Sequence, residues 1–115
     1  MSDVGGDGQE LVLDIRRHGA AAIVQIRGEL DAYSAPSLED LGANLLAEGT
    51  SEIVLDLSET SFLDSSGLRA ILTLQGRVDD DRGELALGNP SEPVLRLLEI
   101  TGLTEHFTIR HDAAH

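Results

Sequence analysis

The chain has 115 residues, a formal net charge of −13, no cysteine and no lysine, so all eight basic residues are arginine. This length suits one domain whose core needs neither disulfide nor metal, and the missing thiols exclude disulfides, cysteine nucleophiles and cysteine metal sites. The acidity opposes binding to nucleic acid or to anionic membranes, and it serves either a basic protein surface as partner or simple solubility. Aromatic residues make up 3% of the chain, so Leu, Ile, Val and Ala must build the core.

Residues 1–10 are polar and glycine-rich, without the basic start and apolar run of a signal peptide. They are expected to form a flexible tail, with residues 11–111 as the domain and residues 112–115 as a flexible C-terminus. No stretch approaches the ~20 apolar residues of a membrane span, and a cytoplasmic protein is expected. Leu11 to Arg17 alternates as a half-buried strand does, and Ala21 to Arg27 reads as its hairpin partner across His18-Gly19-Ala20. Ser34 reads as a helix N-cap and Pro36 sits in the first turn. Leu38, Leu41 and Leu45 then recur at helical spacing, flanked by Leu46, up to Gly49 as the residue that ends the helix.

Ile53 to Leu57 is nearly continuous in apolar residues, the pattern of a strand covered on both faces in a parallel sheet. A second helix is expected over Ser66 to Val78, with Leu68, Ile71, Leu72 and Val78 on one side. Asp79 to Gly83 reads as an acidic turn and Glu84 to Leu87 as a short strand. Ser91 and Pro93 open a third helix that buries Val94, Leu97 and Leu98 and ends at Gly102-Leu103. Phe107 to Arg110 is a last strand. The order β-β-α-β-α-β-α-β predicts an α/β fold with a single mixed sheet, an opening hairpin followed by parallel β-α-β units, covered by helices.

Right-handed crossovers place the parallel strands near one another, and binding loops gather at their carboxyl ends. Two loops stand out, Gly28 to Ser34 and Ser58 to Ser66. If their strands are neighbours, Asp31 and Ser34 share a rim with Asp64 and Ser65. Phe62 and Leu63 are apolar within the second loop and are expected to tuck inward. By spacing alone, Asp64 or Ser65 is a helix N-cap, the usual role of these residues before a helix.

Enzyme readings find little support. Ser65 lacks a Gly-x-Ser-x-Gly setting, and there is no phosphate-cradling Gly-x-x-x-x-Gly-Lys loop. The histidines at 18, 106, 111 and 115 lack metal-ligand spacing. Glu29, Asp31 and Asp64 have no nucleophile, cofactor or oxyanion device beside them. Neither catalytic residues nor a cofactor or metal is expected.

Ser61-Phe62-Leu63-Asp64-Ser65-Ser66-Gly67-Leu68 resembles the phosphorylation loop of STAS-domain anti-sigma-factor antagonists. Gly28-Glu29-Leu30-Asp31 and Ser34-Ala35-Pro36 resemble the family's first loop and helix start. Ile53 to Leu57 resembles its central strand, and Leu98-Glu99-Ile100-Thr101-Gly102-Leu103 its last helix and turn. The match runs from Leu11 to Arg110 in order and spacing.

The resemblance implies a STAS-like fold and a bacterial partner-switching role in stress or sporulation-like signalling. The unphosphorylated form would bind an anti-sigma factor with serine kinase activity and so free the sigma factor. Phosphorylation of Ser65 would abolish binding, and a serine phosphatase would reverse it. Asp31, Ser34, Asp64, Ser66, Gly67, Leu68 and Arg69 would form the partner-binding set around Ser65. The free protein is expected to be a monomer. Two departures from the family pattern are Arg69, where relatives often carry a small residue, and the acidic Asp79-Asp80-Asp81. The alternative is a non-switching STAS subunit of another assembly, such as a transport complex or a stress-signalling scaffold.

Overall fold

A computed structural model describes residues 11–111. In chain order the elements are β1 (Val12–His18), β2 (Ala21–Leu30), α1 (Ala35–Ala47), β3 (Glu52–Asp56), β4 (Thr60–Leu63), α2 (Ser65–Asp80), β5 (Glu84–Gly88), α3 (Glu92–Thr101), a 3₁₀ turn (Thr104–His106) and β6 (Thr108–Arg110). The residues expected to be tails, 1–10 and 112–115, lie outside the described part.

The sheet order is β1-β2-β3-β5-β6, with β4 paired to the far end of β2. The β1–β2 hairpin is antiparallel and every other pairing is parallel. This is the mixed α/β layer expected. The hairpin closes through Gly19, whose φ of 63° lies in the left-handed region that tight hairpin turns require.

β3 runs between β2 and β5, which accounts for its apolar run. Ile53, Leu55 and Leu57 enter the main core, and Val54 is buried as well. Helices α1 and α2 add Leu38, Leu45, Ile71, Leu74 and Val78 to a core shared with Ala22, Val24, Ile26 and Leu87. The two helices approach closely at Gly42, where a Cβ would stand 2.5 Å from Leu74 Cδ1. α3 ends in the Schellman turn anticipated, with Gly102 at φ 74° and Leu103 N–H donating to the Leu98 carbonyl.

Several local expectations need correction. β4 lies inside the segment read as a loop, and β2 continues three residues past Arg27 to meet it. Four residues in a pairing broken by a register shift carry too little alternation to announce a strand. α2 continues through Asp79 and Asp80, which were expected to form a turn, and Asp81 is its C-cap. Ser34 and Ser91 stand at helix starts, but neither hydroxyl caps its helix. The Ser91 hydroxyl donates to the Thr60 carbonyl at 2.6 Å, and that of Ser34 lies 2.9 Å from the Glu29 carbonyl. Ser34 thus closes its own loop, whereas Ser91 ties its helix start to backbone 31 residues away, which local sequence does not reveal.

Candidate partner-binding site

The site is built where β2 forks. Its first half pairs with β3 through Gln25, and its end pairs with β4 in the register Gly28↔Thr60, Glu29↔Phe62 and Leu30↔Leu63. Gly28 allows the turn-out with φ 104°. Thr60 anchors the crossing, its buried hydroxyl donating to the Ile26 carbonyl at 2.8 Å, while Ser61 reaches the Gly28 carbonyl. Leu30 and Leu63 are both buried, so the paired strand ends are fixed from below by the core.

Asp31 and Asp64 are the next residue after each of these paired leucines. Adjacent strands lie about 4.8 Å apart, so the two loops leave the sheet side by side. The shared rim inferred from topology is present. Asp64 N–H approaches the Leu30 carbonyl at 3.4 Å, extending the contact one residue beyond the strands.

Each aspartate organises its own loop. Asp64 is the N-cap of α2, with an extended backbone and Oδ1 accepting from Gly67 N–H at 2.9 Å. Asp31 Oδ1 accepts from the N–H groups of Tyr33 and Ser34, each at 3.0 Å. This turn brings the Ser34 hydroxyl back to accept from Asp31 N–H at 3.0 Å. Ser34 is half-buried in this network. The bonds that the Asp31 side chain accepts go to Oδ1, while its main-chain carbonyl accepts from Ala35 N–H at 2.8 Å.

Ser65 is the first residue of α2 and is exposed; Ser66 is half-buried. Gly67 and Leu68 are buried, so their part is to seat the helix start and not to offer side-chain surface. A Cβ on Gly67 would lie 2.3 Å from the Leu30 carbonyl oxygen. Only glycine lets the start of α2 sit against the end of β2.

Arg69 is exposed one turn after Ser65 and belongs to none of the ion pairs among the described residues. Glu29, Asp31 and Asp64 thus leave the rim predominantly acidic. Among the described residues, no three His, Cys, Asp or Glu side chains converge as a metal site would require.

Phe62 departs from expectation. Leu63 does tuck inward, but Phe62 is 45% exposed, because neighbouring residues on β4 point to opposite faces. Tyr33, which the sequence reading passed over, is 95% exposed in the first loop. The local sequence offered no signal for the direction of Phe62, because four residues with a register shift do not alternate in burial.

Comparison with known proteins fits this architecture. The family model for the STAS domain matches residues 12–114. The anti-sigma-B factor antagonist of Staphylococcus epidermidis is 37% identical over 83 residues, 71% of this chain and 76% of that protein. The crystal structure of an anti-sigma factor antagonist from Mycobacterium paratuberculosis has a TM-score of 0.77 at 25% identity, covering 88% of this chain and 86% of that one. Anti-sigma factor antagonist SpoIIAA in unphosphorylated form gives a TM-score of 0.75 at 20% identity, covering 88% of this chain and 90% of that chain. The phosphorylated form of this Bacillus protein gives 0.70 at 19%, with coverages of 88% and 93%. The similarity to SpoIIAA establishes fold alone.

Proposed function

The chain belongs to the STAS-domain family, and we propose that it acts as an anti-sigma-factor antagonist with Ser65 as its switch. Unphosphorylated, it binds an anti-sigma factor that is also a serine kinase and so frees the sigma factor. Phosphate on Ser65 ends the complex, and a serine phosphatase restores it. The protein works by binding and release, without turnover of a substrate of its own.

One observation carries this reading. The β2–β4 pairing sets Asp31 beside Asp64 and leaves Ser65 exposed at the first position of α2. A kinase can reach such a hydroxyl without unfolding the domain. The free amides and dipole at a helix start also favour an added phosphate, by a few tenths to ~1 kcal/mol.

The same phosphate is costly in a complex. It adds about −1.5 to −2 charges next to Asp31 and Asp64. A partner surface fitted to a neutral hydroxyl then faces an unmatched dianion, and unpaired or like charges at an interface cost several kcal/mol. A loss of ~2–4 kcal/mol, roughly 30- to 1,000-fold in affinity, separates the partners without a change of fold.

The test is phosphorylation by a candidate anti-sigma factor kinase with ATP, followed by peptide mapping. One phosphate on Ser65, absent from Ser65→Ala protein, is the expected result. Equal phosphorylation of Ser65→Ala overturns the assignment of the residue. If Ser65→Asp binds the kinase as tightly as the unmodified protein, charge ejection fails and a non-switching interaction subunit becomes the better reading.

A further inference from the structure

The chain contains one tyrosine, two phenylalanines and no tryptophan. Phe107 is buried in the core, whereas Tyr33 is 95% and Phe62 45% exposed. The fold therefore spends one aromatic side chain on its interior and leaves two on one rim. Nothing in the core needs Tyr33, which projects from a loop whose backbone is already held by Asp31.

The two aromatics lie on the two segments that carry the rim, Tyr33 after the end of β2 and Phe62 on β4. Tyr33 is two residues beyond Asp31, and Phe62 is two residues before Asp64. Two extended residues span roughly 6.6 Å, and the strand ends bearing the two aspartates are about 4.8 Å apart. Both rings thus fall within the footprint of a single interface of about 800 Å² per partner. Phe62 stands opposite Glu29 on the face of the β2–β4 ribbon away from Leu30 and Leu63.

We infer that Tyr33 and Phe62 are the apolar anchors of the complex, and that they seat in two recesses on a basic face of the anti-sigma factor. This rests on the antagonist reading above. Exposed aromatics supply large contact area at low entropy cost and dominate binding energy when desolvated at an interface centre. The acidic frame of Glu29, Asp31 and Asp64, in a chain of net charge −13, specifies the basic surround of the recesses. Affinity and switching are then divided between residues. The aromatics hold the partner, and Ser65 at the start of α2 decides whether it can be held.

The experiment measures binding of the kinase that phosphorylates Ser65 to Tyr33→Ala, Phe62→Thr and Ile100→Ala proteins. Threonine keeps a strand-forming residue on β4. Ile100 is 73% exposed near the far end of α3 and controls for the loss of any exposed apolar residue. Thermal melting of each variant, matching that of the parent, verifies the fold. Tyr33→Ala and Phe62→Thr should each weaken binding by about 30-fold, with Ile100→Ala unchanged. If Ser65→Asp abolishes binding while both aromatic variants bind like the parent, the anchors are wrong and the switch stands. A loss with Ile100→Ala equal to theirs also overturns the inference. If no kinase acts on Ser65, the antagonist reading falls and this inference with it.

Discussion

The carbonyl oxygen of Leu30 and the α-carbon of Gly67 are in such close approach that a Cβ on residue 67 would lie 2.3 Å from that oxygen. This contact joins the end of β2 to the start of α2, and so joins the two loops of the rim. Gly67→Ala must push the helix start away from the strand. Overpacking of this kind costs typically 1–3 kcal/mol, and a loss in that range is expected in urea denaturation. Partner binding should fall by more than the stability loss explains, because Ser65 moves relative to Asp31.

Asp64 carries both a cap and a charge, and substitution separates them. Asp64→Ala removes the acceptor for Gly67 N–H and should cost about 1 kcal/mol of stability. Asp64→Asn keeps an acceptor and should melt close to the parent. If the carboxylate also meets a basic partner, Asp64→Asn will bind less tightly while folding normally.

Phosphoserine installed at position 65 should leave the fold intact, with a stability change within about 1 kcal/mol of the unmodified protein. Arg69 lies one turn on, in the favourable order of acid before base at i and i+4. Arg69→Gln should therefore lower the stability of the phosphorylated form by a few tenths of a kcal/mol relative to its effect on the unmodified form. Calorimetric melting of the four proteins gives this difference.

The net charge of −13 predicts a salt-dependent encounter. The association rate with a basic partner should fall about tenfold or more between low and high ionic strength, as steering is screened. Dissociation, governed by the seated contacts, should change much less. Stopped-flow kinetics at several salt concentrations separates the two rates.

Much of this protein is written locally. The leucine spacing of α1, the apolar run of β3 and the Gly102-Leu103 turn each follow from periodicity or from one residue's backbone freedom. The two loops also announced themselves through Gly28, Asp31 and Asp64. The order of elements left the adjacency of their strands open, and the pairing of β2 with β3 and β4 supplies it.

Other features were decided by residues far away in the chain. β4 exists because the end of β2 bends out to receive it, with Thr60 tied to Ile26 and Ser91 tied to Thr60. Those bonds divert Ser91 from the capping role its position suggested. Pairing on β4 also turns Phe62 outward and Leu63 inward, against the inward tuck expected of both. Sequence determined the residues that flank Ser65 along the chain, Asp64 as cap and Gly67 as the residue that fits against β2, because spacing is local. Tertiary structure decided which of them face a partner, because orientation on a four-residue strand is set by the register of its neighbour.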